Sequence, residues 1–161
     1  MLSVIVGENS SGKTLYLDRF YEQHDCTYNR RYDESLYRPI DMELVSKLYP
    51  EALGDSSGVI LPNQQAYYEQ DVQRLLCLML RKSDYLLLDE IDAYTYQSDK
   101  YILYSAAMRI SEYKPVIAVT HDEEFTAYAD KMYTLNGSTL QEISRERMLW
   151  EIYQDEEMVK I

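Results

Sequence analysis

The chain has 161 residues, 46% hydrophobic and 27% charged, an ordinary globular balance that suits one domain with a real core. Its net charge of −12 sets a broad acidic surface against nucleic acid and against anionic membranes. Two cysteines, with no C-x-x-C or Cys/His cluster, argue against a zinc site and against a disulfide scaffold.

Residues 2–6, Leu-Ser-Val-Ile-Val, predict a buried strand. Gly7-Glu8-Asn9-Ser10-Ser11-Gly12-Lys13-Thr14 follows and fits G-x-x-x-x-G-K-[ST], a phosphate-binding loop. The chemistry needs these residue types. Gly7 and Gly12 let the backbone turn close to phosphate oxygens, and successive N–H groups at a helix start face a polyanion. Lys13 supplies a charge for the β and γ phosphates, and Thr14 a hydroxyl for Mg²⁺. Residues 13–24 continue as a helix, with Leu15, Leu17, Phe20, Tyr21 and His24 at helical spacing.

Residues 26–39 alternate weakly and predict a short strand. Arg30, Arg31 and Arg38 lie there among Tyr28, Tyr32 and Tyr37. The cluster reads either as a nucleic acid clamp or as a solvated face paired with Asp33 and Glu34. A short helix over 40–49 stops at Pro50. Gly54–Gly58 is a loop, Val59–Leu61 a small strand, and 64–82 a long helix with Tyr68, Val72, Leu75, Leu76 and Met79 as its buried stripe. The longest purely apolar run, Leu75–Leu80, is too short to span a bilayer, and no signal peptide is expected. Tyr85–Leu88 is a buried strand running into Asp89-Glu90. A helix over 98–112 precedes a strand at 116–120, which ends at His121-Asp122. A short helix then runs to about Tyr128. Lys131–Leu135 and Ser138–Ile143 flank Asn136-Gly137, a hairpin signal. A terminal helix covers 144–159.

Strands alternating with helices predict an α/β fold, a mostly parallel sheet covered on both faces, with ligands at the carboxyl ends of strands. Three strands end in polar residues: at the loop, at Asp89-Glu90 and at Thr120-His121. Asp89 is placed to hold Mg²⁺ opposite Thr14. Glu90 would aim or deprotonate a water, and His121 would hydrogen-bond the γ-phosphate.

In this order the motifs resemble the ABC-type ATPases, and the loop looks most like the chromosome-maintenance, RecF-like and defence-associated branch. Tyr85-Leu-Leu-Leu-Asp-Glu90 is similar to that family's Walker B segment with its catalytic glutamate. Val119-Thr-His121-Asp122 is similar to its switch-histidine segment, and Ala129–Gly137 to the hairpin that follows. The resemblance implies a three-layer P-loop fold and an ATPase using ATP and Mg²⁺. Gly7 to Thr14 would hold the nucleotide, Thr14 and Asp89 the metal, and Lys13, Glu90 and His121 would take part in the chemistry. It further implies an ATP-dependent homodimer, a separate effector protein, or both, in the cytoplasm. The Ser-Gly-Gly signature of the family is absent. Residues 61–65 and 65–69 are the candidates in its place, and Asn63 is a helix cap there. No clear Q-loop is visible, and Ile91 replaces the usual proline after the glutamate. The family's upstream strands, with their adenine-stacking aromatic, do not precede the loop in this sequence. The expectation is one reduced ATPase domain over 1–161: strand, loop and helix in 1–26, a shortened insert in 27–63, the Walker B and switch core in 64–143, and a terminal helix in 144–161. Two alternatives stand beside it, a nucleotide-binding switch with little intrinsic hydrolysis and a small P-loop kinase.

Overall fold

The computed structural model describes residues 1–8, 11–50 and 70–159. Its first apolar run forms β1 (Leu2–Ile5), and α1 (Lys13–Gln23) follows the loop. The chain then builds β2 (Cys26–Tyr28), a 3₁₀ turn at Asn29–Arg31, α2 (Tyr32–Leu36), α3 (Met42–Leu48) and α4 (Gln70–Met79). Next come β3 (Tyr85–Asp89), a 3₁₀ turn at Ile91–Tyr94, α5 (Lys100–Ile110), β4 (Val116–Val119) and α6 (Glu123–Thr126). The hairpin β5 (Lys131–Asn136) and β6 (Thr139–Glu142) leads into α7 (Arg145–Val159).

Among the described residues, six strands form one sheet in the order β2-β3-β4-β1-β5-β6. Every pairing is parallel except β5 with β6. The alternation of side chains across the pleat sorts the core into two layers. Leu2, Val4, Leu86, Leu88, Val116 and Ala118 face a large layer with residues of α3, α4, α5 and α7. Ile5, Leu87 and Val119 point the other way, onto Leu17 of α1 together with Cys26 and Tyr28. Strands buried on both faces read as continuous apolar runs, which is why β1, β3 and β4 stand out in the sequence.

Several boundaries differ from the sequence expectation, each for a local reason. Residues 29–36 turn into helix, because β2 stops after three residues. Helix α4 stops at Met79, since the chain beyond it pairs with residues 39–41: the Asp41 N–H donates to Leu80 O at 2.8 Å and the Lys82 N–H to Pro39 O at 2.8 Å. Helix α5 is one turn shorter than expected, and α6 ends before Tyr128. In the hairpin Asn136 still pairs with Thr139, so the two-residue turn is Gly137-Ser138. Gly137, with φ 65°, takes the first central position, which a II′ turn reserves for glycine. The expected loop at 54–58, the strand at 59–61, the start of the long helix with Tyr68, and the signature candidates at 61–69 lie outside the described residues. No helix among the described residues is long and apolar enough to cross a membrane.

Candidate functional site

The glycine-rich loop joins β1 to α1 at the carboxyl edge of the sheet. Gly7 has φ 143°, and a Cβ there would sit 3.3 Å from Thr134 Oγ1. Gly12 is left-handed, with φ 87°, and caps α1. Both positions therefore demand glycine on conformation, and Gly7 also on space. Lys13 is buried, and its Nζ donates to Gly7 O at 2.7 Å and Glu8 O at 2.5 Å, with Ser11 Oγ at 3.3 Å. The amine thus stands inside the turn of the loop beside the first amides of α1, where positive charge and N–H groups combine. Asn9 and Ser10 lie outside the described residues. Beside Ser11 and Gly12, on the hairpin side of α1, a cavity of about 580 Å³ is lined by Leu15, Tyr16, Phe20 and Leu135.

Strand β3 carries Asp89 to the same edge. The Thr14 hydroxyl donates to Asp89 Oδ2 at 2.7 Å. Burial pushes the Asp89 carboxyl above its ordinary range, a push opposed by the Thr14 bond and Arg30 and reinforced by Glu90 and Asp18. A hydroxyl and a carboxylate in contact are hard oxygen donors of the kind Mg²⁺ takes. No group of three His, Cys, Asp or Glu side chains able to hold a metal occurs among the described residues.

Glu90 follows with φ 51° and ψ 47°, the one non-glycine residue in the left-handed region among those described. The conformation turns its side chain away from the line of β3. His121, at the end of β4, brings Nε2 to 3.0 Å from Glu90 Oε1, and this buried nitrogen has no well-directed hydrogen bond. A small polar network ties the two strand ends together. The Thr120 hydroxyl donates to Asp92 Oδ1 at 3.0 Å and accepts from the Asp122 N–H at 2.9 Å. Tyr104 Oη donates to Asp122 Oδ2 at 2.5 Å. Burial raises the Asp92 carboxyl above its usual range, and the Thr120 bond offsets part of that.

Sequence reasoning anticipated Lys13, Thr14, Asp89, Glu90 and His121, and the fold gathers all five at one sheet edge. It missed Asn29. This side chain clamps the end of β3 twice, accepting from the Asp89 N–H at 2.7 Å and donating to Asp89 O at 3.0 Å. Asn29 directly follows β2, a parallel neighbour of β3, and no sequence signal marked the end of that three-residue strand. The arginine cluster does not form one open face. Arg30 Nε lies 3.6 Å from Asp89 Oδ2, Arg31 sits over the Tyr21 ring, and Arg38 pairs with Asp25 at 2.7 Å. His24, expected as an ordinary helix residue, stacks on Phe20 with ring centres 3.9 Å apart. The terminal helix contributes Glu151, which is buried behind the loop and paired with Arg147 at 2.8 Å.

No family model and no curated protein matches the chain. Solved structures do. An RNase-L inhibitor superposes with TM-score 0.60 at 17% identity, over 96% of this chain and 36% of its own length. A metal-chelate-type ABC transporter, in an inward-facing conformation, gives TM-score 0.62 at 16% identity, over 95% of this chain and 78% of its own. Archaeal ABCE1, in a ribosome-bound assembly with Pelota, gives TM-score 0.61 at 19% identity, over 96% of this chain and 32% of the matched one. The chain thus spans about a third of the length of two of these proteins. Their likeness carries the architecture: this chain is an α/β protein with the fold of ABC-type ATPases.

Proposed function

We propose that the chain binds a Mg-nucleoside triphosphate, ATP in the first instance, and hydrolyses its β–γ bond to drive or switch a separate partner protein. The observation that carries the reading is the meeting of three strand ends: Thr14 on Asp89 at 2.7 Å, Glu90 beside His121 at 3.0 Å, and the loop with Lys13 between β1 and α1. In this reading Lys13 and the loop amides grip the phosphate tail, while Thr14 and Asp89 hold the metal. The bound metal would neutralise charge on the phosphoryl oxygens. Glu90 accepts a proton from, or aims, the attacking water, and His121 donates toward the terminal phosphate. The sheet order supports one direction for the ligand. Asp89 and His121 lie on the β3–β4 side of β1, so the nucleoside extends to the β5 side, where the 580 Å³ cavity adjoins Ser11 and Gly12.

The neighbours point to partnership. The ribosome-bound assembly holds Pelota beside ABCE1, another neighbour is archaeal ABCE1 in complex with the ribosomal stalk protein aP1, and a third is a transporter. By analogy this chain acts on a separate protein, and the form of its loop suggests the chromosome-maintenance, RecF-like or defence branch. The test is phosphate release and nucleotide affinity for the parent and Glu90→Gln. Turnover should fall about 100-fold or more with affinity retained. Equal turnover would remove Glu90 from the chemistry, and a parent without nucleotide affinity would end the proposal.

A further inference from the structure

Asp89 Oδ2 receives two groups. One is the Thr14 hydroxyl at 2.7 Å, its companion in the metal site of the reading above. The other is Arg30 Nε at 3.6 Å. The two side chains of this ion pair differ sharply in exposure, 56% for Arg30 and 2% for Asp89. Arg30 is not there by drift. The neighbouring Asn29 is bonded at both ends of its amide to the Asp89 main chain, which fixes the backbone of Arg30 beside the carboxylate. Asp18 and Glu90 add negative charge around Asp89, in a chain of net charge −12. Such a field attracts divalent cations on its own, and a guanidinium on the same oxygen offsets that attraction. The guanidinium is half in water, so little holds it when a doubly charged ion arrives with a phosphate tail.

We propose that Arg30 competes with the divalent cation for Asp89 Oδ2 and so sets the metal concentration at which the site loads. Arg30 makes loading depend on metal and nucleotide together rather than on metal alone. This rests on the nucleotide-binding reading, and the experiment separates the two. Mg²⁺ is titrated against the full chain with a fluorescent ATP analogue at pH 8, and Mn²⁺ is titrated against the chain alone, followed by electron paramagnetic resonance. Arg30→Gln should lower the Mg²⁺ midpoint about 2- to 10-fold and tighten Mn²⁺ binding to the chain alone. Arg30→Lys, which keeps the charge, should stay close to the parent. An Arg30→Gln midpoint that is unchanged or higher, with normal analogue binding, overturns the competition and leaves the nucleotide reading standing. A parent that binds no analogue at any Mg²⁺ concentration overturns both.

Discussion

Asp89 shows what a buried carboxylate costs a fold. Burial raises its carboxyl in the folded chain above the value near 4 of an exposed aspartate. Stability from that shift is therefore fully present below about pH 4 and is lost as pH climbs through the folded-state value. At pH 7 the buried charge is a net liability that Thr14 and Arg30 only partly relieve. Asp89→Asn should then be more stable than the parent at pH 7, by about 0.5–2 kcal/mol. The gap should narrow on acidification, as read by urea unfolding at pH 7 and pH 5. A variant no more stable at pH 7 would mean that the two neighbours already compensate the burial. Glu90 carries a cost of another kind, since a left-handed backbone for a residue with a Cβ persists only when the surroundings enforce it. Here the Glu90 N–H donates to Val119 O at 2.9 Å and its carbonyl accepts from the Ala93 N–H at 3.1 Å. Residue types in a fixed order made Lys13, Thr14, Asp89 and Glu90 legible in the sequence. The contacts of Asn29 and Arg30 were not, because they depend on β2 lying beside β3, a pairing between residues about 60 apart.

Elements were legible where burial is two-sided and caps are local. Strands β1, β3 and β4 announce themselves as apolar runs ending in polar residues. The helix after Pro39 was visible through its stop at Pro50, and its start is fixed by Asp41, whose carboxylate accepts from the Leu44 N–H at 3.0 Å. Removing that cap in Asp41→Ala should lower stability by about 1 kcal/mol without changing nucleotide affinity, as seen in chemical denaturation and analogue binding. An unchanged midpoint would show that α3 is held by packing of Leu44, Val45 and Leu48 alone. What the sequence obscured is equally local in cause. Strand β2 is three residues long, too short for a period to show, and the hairpin turn moved by one residue because pairing of Asn136 with Thr139 left the glycine to open the turn.

At the scale of the molecule, burial also shapes the response to alkaline conditions. Lys114, half-buried with Nζ donating to Arg81 O at 3.0 Å and Ser83 Oγ at 3.1 Å, is pulled down to about 8 by desolvation. Its unfolded value lies near 10.4. Between those two values the unfolded chain binds more protons, so this residue makes the fold gain stability as pH rises from 8 toward 10. Lys114→Met should flatten that part of the stability profile, measured by denaturant unfolding from pH 7 to 10. A profile as steep as the parent's would assign the slope to other groups.

The strand that carries the glycine-rich loop is central, and both of its neighbours come late. Leu2 aligns with Val116 and Ser3 with Lys131. A nascent polypeptide that has emerged only as far as Glu90 already contains Lys13, Thr14 and the acidic pair, yet β4, which spaces them, has still to be synthesised. Such distant pairings fold slowly, so the triphosphate grip proposed above would be completed only once β4 and β5 have emerged. A fragment ending at residue 112 should show no nucleotide affinity despite holding most of the chemistry.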